Sequence, residues 1–386
     1  MKTLIEIHTL QNFAPSNLNR DDTGAPKDAL FGGTRRARIS SQCLKRALRQ
    51  YFWQVVEAGH LADEDLASRT KRVTEALAEI LVKRNRDRAE SIVRSERALA
   101  AMELTVKEDG KTQYLLFLGK REIAAIADII DAKWETLAAV QNSDPEGKKP
   151  VKAKKAAAQG ADPELKKALD KVFNGGKAVD VALFGRMLAD MPEKNGNASC
   201  QVAHAISTHA VEREFDYYTA VDDLKPEDSA GADMIGTVEF NSACFYRYAV
   251  VDWAQLLGNL QEDSDLAFKG LRAFLEGFVV SEPTGKQNSF AAHNPAEFVA
   301  ITVHKQGAPR NLANAFEAAI RAPKGQSLTR LSVEKLVHKA NQLQAAYGGE
   351  RSTFVLNLTE ASIDGFGMTL PSLTEVIESA LKAVRS

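Results

Sequence analysis

Six basic side chains near the start of the chain could together bind a polyanion. The segment 29–56 contains no acidic residue. Its six cations are Arg35, Arg36, Arg38, Lys45, Arg46 and Arg49. The arginines come just before Ser40, Ser41 and Gln42, where we expect a helix to begin, and the free N–H groups of a helix N-terminus can bind a phosphate. Guanidinium and ammonium groups would strengthen that site. From the residues alone, a polyanion-binding surface and a solvated basic helix face both remain open.

Two carboxylates, Asp21 and Asp22, come shortly before this basic segment. Beside a phosphate-binding surface they could hold a metal ion or assist strand cleavage. We favour the simpler interpretation, a turn residue or an ion-pair partner for Arg20. The sequence contains no G-x-x-x-x-G-K-[ST], H-E-x-x-H or G-x-S-x-G pattern, and His204 and His209 lack metal-ligand spacing. We therefore expect no catalytic residue, no metal ligand and no cofactor.

Two other segments could contact nucleic acid. Phe215, Tyr217 and Tyr218 could stack on bases, although most aromatic clusters belong to a core. Residues 141–167 carry seven lysines and almost no large apolar side chain, which is typical of a mobile, solvated surface loop. For this loop, nucleic-acid contact is the less favoured interpretation.

The composition indicates a soluble globular chain of two or three domains. It has 386 residues, a net charge of −1, 44% hydrophobic and 26% charged residues. This balance excludes a histone-like polycation. The three cysteines are far apart and form no CxxC pair, so a disulfide framework is not expected. The N-terminus has no signal-peptide pattern, and no apolar run of 18 residues occurs, so we expect a cytoplasmic protein without a membrane span.

Hydrophobic periodicity predicts an α+β fold. Strands are predicted at 2–10, 236–252 and 297–305, and a long irregular stretch at 11–39 follows the first strand. Helices are predicted from Ser40, with Leu44, Leu48, Tyr51 and Val55 buried, and at 265–280, 333–347 and 373–384. Residues 61–140 are mostly helical in pattern. The order of elements favours a split-βαβ sheet with helices on one face and a helical insertion at about 60–235.

Seven segments together resemble the CasC (Cse-type) backbone subunit of the type I-E CRISPR Cascade surveillance complex. They are NRDD, KDALFGGTRRARISSQCLKRALR, AHAISTH, YTAVDDL, EFNSACFYRYA, GKQNSFAAHNP and NLANAFE. The most specific part is NRDD followed by FGG and RRxRISSQxLKRAxR. The similarity extends from Met1 to about Glu317 and is weaker over 60–180 and in the last ~70 residues.

The resemblance implies a palm of RNA-recognition-motif (ferredoxin-like) type, a helical fingers insertion and a protruding thumb. The implied domains are 1–58 (palm, first part), 59–180 (fingers, with the Lys-rich loop 141–167), 181–195 (palm segment), 196–234 (thumb) and 235–386 (palm, second part, with C-terminal helices). Family members polymerise along the CRISPR RNA, and the thumb of one copy folds over the RNA held by the next. Bases between kinks stay free to pair with the target DNA strand. The implied partners are CRISPR RNA, target DNA through the guide, neighbouring copies and other Cascade subunits.

The resemblance also assigns RNA contacts to five groups of residues. The first loop supplies Asn19, Arg20 and Lys27, and the following strand and helix supply Arg38, Ser40, Ser41, Gln42, Lys45, Arg46 and Arg49. A palm segment supplies Phe184, Arg186 and Met187, the thumb supplies His204, Thr208 and Val211, and a second loop supplies Lys286 and Gln287. These contacts are expected to go mainly to phosphate and sugar, without sequence specificity.

Two alternatives remain open beside this non-catalytic RNA scaffold. Related backbone subunits of type III complexes cut target RNA with a loop aspartate, and Asp21 or Asp22 could do so here. The type I-E backbone does not cut, which argues against an endoribonuclease. The other alternative is a free-standing RNA-binding protein that does not polymerise.

Overall fold

The computed structural model describes residues 3–139, 163–174, 176–188, 191–220, 223–224 and 234–386. The strands are β1 (Leu4–Ser16), β2 (Asp28–Phe31), β3 (Thr34–Ile39), β4 (Ala67–Thr70), β5 (Leu116–Gly119), β6 (Cys200–Val202), β7 (Ala205–Ser207), β8 (Glu214–Ala220), β9 (Met234–Asp252), β10 (Phe298–His304), β11 (Arg351–Asn357) and β12 (Met368–Thr369). The helices are α1 (Ser41–Glu57), α2 (Val73–Lys83), α3 (Arg88–Ala101), α4 (Lys120–Ala132), α5 (Trp134–Ala139), α6 (Pro163–Val172), α7 (Val179–Phe184), α8 (Trp253–Asn259), α9 (Ser264–Val280), α10 (Gln287–Phe290), α11 (Leu328–Tyr347) and α12 (Leu373–Arg385). Short 3₁₀ helices occur at Asp63–Asp65, Pro192–Lys194 and Leu312–Phe316. Within these residues, no helix combines the length and the apolar character needed to span a bilayer.

The chain divides into two compact units. The first consists of Met1–Gln54, Cys200–Ala254 and Leu271–Ser386, and the second of Val55–Ser199 and Gln255–Gly270. The first unit contains one large sheet in the order β12-β11-β10-β1-β9-β7-β3-β2, with β6 and β8 also paired to β9. Only the β11–β12 pair is parallel among the described pairs of this sheet. The predicted α+β class is confirmed.

The centre of this sheet has a simple connectivity. Along the chain the elements are β1, α1, β7, β9, α9 and β10. In the sheet the four strands lie in the order β10-β1-β9-β7, and each is antiparallel to its neighbour. The pattern is therefore strand–helix–strand–strand–helix–strand with the first strand inside the sheet.

Helices cover both faces of the sheet, which corrects the prediction that they lie on one face. Tyr246 of β9 packs in one core with Leu336 of α11. The preceding residue, Phe245, packs in another core with Leu44 of α1. Because successive strand residues point to opposite faces, α11 and α1 lie on opposite faces of the sheet. The first eight residues of β1 are accordingly all buried, as expected for a strand covered on both sides.

The stretch 11–39, predicted as irregular, is largely made of strands. β1 continues to Ser16, and β2 and β3 form a hairpin whose turn contains Gly32 and Gly33, with φ of +58° and +74°. Two positive φ values identify the tight turn that fits the twist of a hairpin, and glycine adopts them without strain. A Cβ at Gly32 would lie 1.7 Å from the carbonyl oxygen of Glu317, so only glycine fits there.

Five polar side chains form a buried network on the α11 face of the sheet. The Tyr248 hydroxyl donates to Glu6 Oε1 at 2.6 Å, and His304 Nε2 contacts Glu6 Oε2 at 2.5 Å. His8 Nδ1 lies 2.9 Å from the Tyr246 hydroxyl. The polar residues of β1 are therefore paired inside the core with side chains of β9 and β10 instead of facing water.

Acidification is expected to destabilise the first unit through His8. Burial lowers the pKa of His8 from 6.5 to about 4, so the folded protein keeps the ring neutral. As the pH falls from 6.5 toward 4, the unfolded chain takes up this proton first, and about 3 kcal/mol of stability should be lost. Urea unfolding at several pH values tests this. In His8→Phe, the free energy of unfolding should depend less steeply on pH than in wild type. His60→Phe, which changes an exposed residue, should keep the wild-type slope of unfolding free energy against pH. Equal slopes for all three proteins would contradict the role of His8.

β8 and the start of β9 form an arm whose side chains are exposed. All seven residues of β8 are exposed, and its three aromatic side chains are 66, 63 and 41% exposed. At the base of the arm, Arg213 forms ion pairs with Asp28 at 2.9 Å and Glu239 at 3.1 Å. The aromatic cluster at 215–218 is therefore on the surface and does not belong to a core.

The segment 196–234, predicted as the thumb, begins inside the sheet. Residues 200–202 and 205–207 are β6 and β7, and both pair with β9. Only residues 214–220 and 234–240 extend as the arm, while 221–222 and 225–233 lie outside the described residues. The names palm, fingers and thumb stay predictions.

The second unit is mainly helical and has its own core. Leu77 of α2, Leu99 of α3, Ile126 of α4 and Leu169 of α6 are fully buried in it. The helical pattern predicted for residues 61–140 is confirmed, except that it missed the antiparallel pair β4–β5. The segment 181–195, assigned by the resemblance to the palm, is part of this unit. Of the Lys-rich loop 141–167, residues 141–162 lie outside the described residues and 163–167 begin α6.

Candidate nucleic-acid interface

Hydrogen bonds hold the shape of the loop that carries Asn19, Arg20 and Lys27. The buried Asn17 donates from Nδ2 to the carbonyl oxygen of Gly24 at 3.0 Å. The backbone N–H of Lys27 donates to the carbonyl oxygen of Asn19 at 2.8 Å. The fixed backbone presents the exposed Arg20 and the half-buried Lys27 at a defined distance from each other.

Asp21 stabilises the turn within this loop. Its Oδ1 accepts hydrogen bonds from the Thr23 hydroxyl at 2.7 Å and from the N–H groups of Thr23 at 2.9 Å and Ala25 at 3.0 Å. The Thr23 hydroxyl is the main cause that lowers the pKa of Asp21. The turn interpretation of Asp21 is confirmed. In the part of the chain that the structure describes, no cluster of three or more His, Cys, Asp or Glu side chains could hold a metal ion.

The N-terminus of α1 lies beside the same loop. Asn19 Oδ1 accepts a hydrogen bond from the Ser40 N–H at 2.8 Å. The Ser40 hydroxyl accepts from the Cys43 N–H at 3.3 Å, which is the geometry of an N-cap. The helix start predicted at residues 40–42 is confirmed, and Ser40 is its N-cap. The first two helical residues, Ser41 and Gln42, are half-buried and exposed.

α1 is amphipathic much as the sequence predicts. Leu44 and Leu48 are buried, whereas Tyr51 is only half-buried. On the other side, Arg46 is exposed, and the two remaining cations of the helix, at 45 and 49, are half-buried. The helix therefore anchors itself by one face and presents charge on the other.

A cleft of about 360 Å³ opens between the loop and α1. Its walls are residues 18–21, a face of α1 that includes Arg46, and residues 283–285. A Cβ at Gly285 would lie 2.2 Å from the carbonyl oxygen of Leu18. The segment 283–285 can therefore approach the loop only because residue 285 is glycine. Lys286 is the next residue in the chain.

Three cations around the cleft have no ion-pair partner among the described residues, although the Asp21 carboxylate also lines it. Arg20, Lys27 and Arg46 form no ion pair with any residue that the structure describes. Burial raises the pKa of Cys43, which lines the cleft, and the charges of Lys27 and Arg46 oppose that rise. Such a site attracts phosphate.

Strand pairing brings Arg38 and His204 together, although 166 residues separate them. Arg38 Nη1 lies 3.0 Å from His204 Nδ1, and Arg38 Nε donates to the carbonyl oxygen of Asp28 at 3.0 Å. Burial, then the charges of Arg38 and Lys27, lower the pKa of His204. The neutral ring can therefore accept a hydrogen bond from Arg38 and hold its guanidinium in place.

The sequence matches that of the CT1975-like protein family over residues 5–379, which is nearly its whole length. The chain belongs to this family. It is also similar to a chain of a solved structure described as a "CRISPR RNA-guided surveillance complex, pre-nicking". The two are 28% identical with a TM-score of 0.80, covering 98% of this chain and 99% of that one. A chain of a second structure, described as a "CRISPR RNA-guided surveillance complex", is 24% identical with a TM-score of 0.71 and the same coverage, and shares the fold. None of the curated proteins matches the chain.

These matches confirm part of the predicted resemblance. The similarity includes the C-terminal ~70 residues as well, because the family match reaches residue 379 and the match to the first surveillance-complex chain covers 98% of this chain. The family assignment accordingly covers both compact units.

Arg186, one of the predicted RNA contacts, is buried in the second unit. Its Nη1 donates to both carboxylate oxygens of Glu122, at 2.9 and 2.8 Å, and the two side chains are 3% and 0% exposed. The structure corrects the RNA contact predicted for Arg186 to an internal ion pair. Of its neighbours, Met187 is 82% exposed and Phe184 is half-buried.

Two further predicted contacts, Thr208 and Val211, are buried in the first unit, whereas Gln287 is half-buried. Thr208 is fully buried and its hydroxyl accepts from Ser332 at 2.9 Å. Val211 is part of the core on the α1 face. Gln287 donates from Nε2 to the carbonyl oxygen of Ala292 at 3.1 Å within its own loop. The burial of Thr208 and Val211 corrects their assignment as side-chain contacts to RNA, and the contact predicted for Gln287 stays a prediction.

Sequence reasoning missed two polar residues that line the cleft, Gln50 and Thr284. Gln50 lies four residues after Arg46 and thus on the same side of α1, so helical spacing could have found it. Thr284 is adjacent to Gly285 in a loop without a local pattern, and no sequence signal pointed to it.

Proposed function

We propose that this protein is a non-catalytic, CasC-like backbone subunit of a type I-E Cascade complex. Copies polymerise along the CRISPR RNA, hold its phosphate–sugar backbone and present kinked base segments for pairing with target DNA. The observation that carries this proposal is the unpaired basic cleft, in a chain that is 28% identical to a surveillance-complex chain over 98% of its length.

The cleft suits a nucleic-acid backbone better than a small metabolite. Arg20 and Arg46 line it together with the Asp21 carboxylate. Lys286 directly follows the wall at 283–285, and the Lys27 N–H donates to the carbonyl oxygen of Asn19 in the loop at 2.8 Å. Cations and backbone N–H groups read phosphate and carry no base information. The guide is therefore bound in the same way whatever its sequence, as the subunit of a programmable complex requires.

We assign the first unit to a palm of RNA-recognition-motif type. The order β10-β1-β9-β7, with α1 and α9 as the connecting helices, is that of the split-βαβ motif and supports this assignment. The additional strands β2, β3, β11 and β12 extend the sheet at its edges.

We assign the arm formed by β8 and β9 to contacts within the polymer. An isolated two-stranded ribbon is marginally stable in water, and exposed aromatic side chains such as Phe215 and Tyr217 mark an interaction surface. In the proposed assembly, the arm folds over the RNA held by the next copy.

Binding of unrelated RNAs tests the proposal. Two guides with the same repeat ends and different spacers should bind the protein, supplied with its partner subunits, with equal affinity. The logarithm of the binding constant should fall steeply with the logarithm of the salt concentration, by about 0.7 per contacted phosphate. A preference of more than tenfold for one spacer, or no salt dependence, would contradict backbone recognition.

A nuclease test decides the alternative of a type III-like endoribonuclease. Asp21→Asn and Asp22→Asn should both leave target RNA uncut, exactly as wild type does, because the Asp21 carboxylate already accepts three hydrogen bonds in its turn. Cleavage by wild type that Asp22→Asn abolishes, with binding retained, would replace the proposed role by the enzymatic one.

A further inference from the structure

A second basic surface lies on the other face of the sheet. Residues 318–349 contain a single acidic residue, Glu334. The cations of this segment are Arg321, Lys324, Arg330, Lys335 and Lys339. In a chain of net charge −1, this is a second acid-poor, basic stretch beside the one at 29–56.

The charge of this surface is largely unneutralised. Arg330 and Glu334 form an ion pair at 3.6 Å, which cancels the only acid. Lys335 and Lys339 form no ion pair with any other described residue, and Lys335 is exposed while Lys339 is half-buried. The loop 321–327, fully exposed and carrying two more cations, leads directly into α11.

The helix fixes the direction of these charges. α11 buries Val333, Leu336, Val337 and Ala340 in the core that it shares with the sheet. Lys335 and Lys339 lie one turn apart, at a rise of about 6 Å, on the side turned away from that core, with the exposed His338 between them. Because α1 packs on the opposite face of the sheet, this surface is separate from the cleft.

We propose that the outer face of α11, with the loop 321–327, binds the phosphate backbone of double-stranded DNA without sequence preference. The proposal rests on the proposed function, in which the guide held at the cleft is offered to DNA. A protein partner fits less well, because lysine is depleted in protein interfaces. A single strand fits less well too, because the loop 321–327 and the turns of α11 that carry Lys335 and Lys339 contain no Phe, Trp or Tyr on which bases could stack. The exposed Tyr347 lies at the far end of the helix, about two turns beyond Lys339.

The test compares Lys335→Gln/Lys339→Gln with wild type, each assembled with guide RNA and partner subunits. Duplex DNA that does not match the guide is titrated at several salt concentrations. The variant should bind about tenfold more weakly, and the slope of log affinity against log salt should fall by about 2. Lys83→Gln/Arg88→Gln removes the same charge from exposed positions of the second unit and should leave both quantities unchanged.

Three readouts separate the outcomes. An unchanged duplex affinity in the α11 variant, or an equal loss in the control variant, would overturn the inference. An equal loss for single-stranded DNA of the same length would overturn its assignment to a duplex. Guide retention is measured in the same samples. Failure of the wild-type protein to retain guide RNA would overturn the proposed function. In that case the duplex titration is repeated with the full-length protein alone, and it still decides the role of α11.

Discussion

Replacing Arg20, Lys27 and Arg46 together by glutamine is expected to weaken guide-RNA binding by about two orders of magnitude near physiological salt. None of the three forms an ion pair in the part of the chain that the structure describes, so their charge is available to phosphate. If each contacts one phosphate of a single strand, the slope of the logarithm of the binding constant against the logarithm of the salt concentration should decrease in magnitude by about 2. Folding should be little affected, since Arg20 and Arg46 are exposed, Lys27 is half-buried, and surface substitutions usually change stability by less than about 0.5 kcal/mol.

The matched control is Lys83→Gln, Arg88→Gln and Lys107→Gln, which removes three exposed cations from the second unit. The net charge of the two triple variants is identical, so general attraction of RNA to the protein is equal in both. Equal weakening in both would mean that overall charge, and not the cleft, determines binding. Filter binding over a series of salt concentrations measures the affinity and the slope together.

The substitution Glu122→Ala is expected to cost about 3–5 kcal/mol of the stability of the second unit. It leaves the guanidinium of Arg186 buried without its partner and removes the acceptor of the Gly119 N–H at 2.8 Å. Urea unfolding measures this loss. Glu79→Ala, an exposed residue of α2, is the control and should change the stability by less than about 0.5 kcal/mol.

A second variant checks the reason for that loss. Glu122→Leu combined with Arg186→Met replaces both charges by apolar side chains of similar size, and should recover most of the stability lost in Glu122→Ala. The same double variant should bind guide RNA like wild type, because Arg186 has an internal role. Weaker RNA binding by a stably folded double variant would restore Arg186 to the interface.

Local patterns in the sequence predicted the elements that need only local information. The N-cap at Ser40 and the apolar stripe of α1 depend on neighbours within one or two turns, and both are present. β9 and β10 alternate or remain apolar over their full lengths and were found. The β2–β3 hairpin was missed although Gly32 and Gly33 mark its turn, because the strands beside it are only four and six residues long.

The remainder depends on contacts between distant parts of the chain. Glu6 interrupts the apolar run of β1, and no local pattern shows that it contacts His304, 298 residues away, inside the core. The pairing of Arg186 with Glu122 spans 64 residues and leaves no periodic signal. The sequence predicted the cations of the cleft and the helix N-terminus beside it. It did not predict the wall at 283–285, where Gly285 lies close to Leu18.

The most direct test of the backbone role is native mass spectrometry of the protein assembled with its partner subunits on guides of stepwise longer spacers. If the protein polymerises along the guide, each particle should contain one RNA. The number of copies of this chain per particle should then rise regularly with spacer length. A fixed copy number on every guide, or a particle that contains no RNA, would contradict the backbone role.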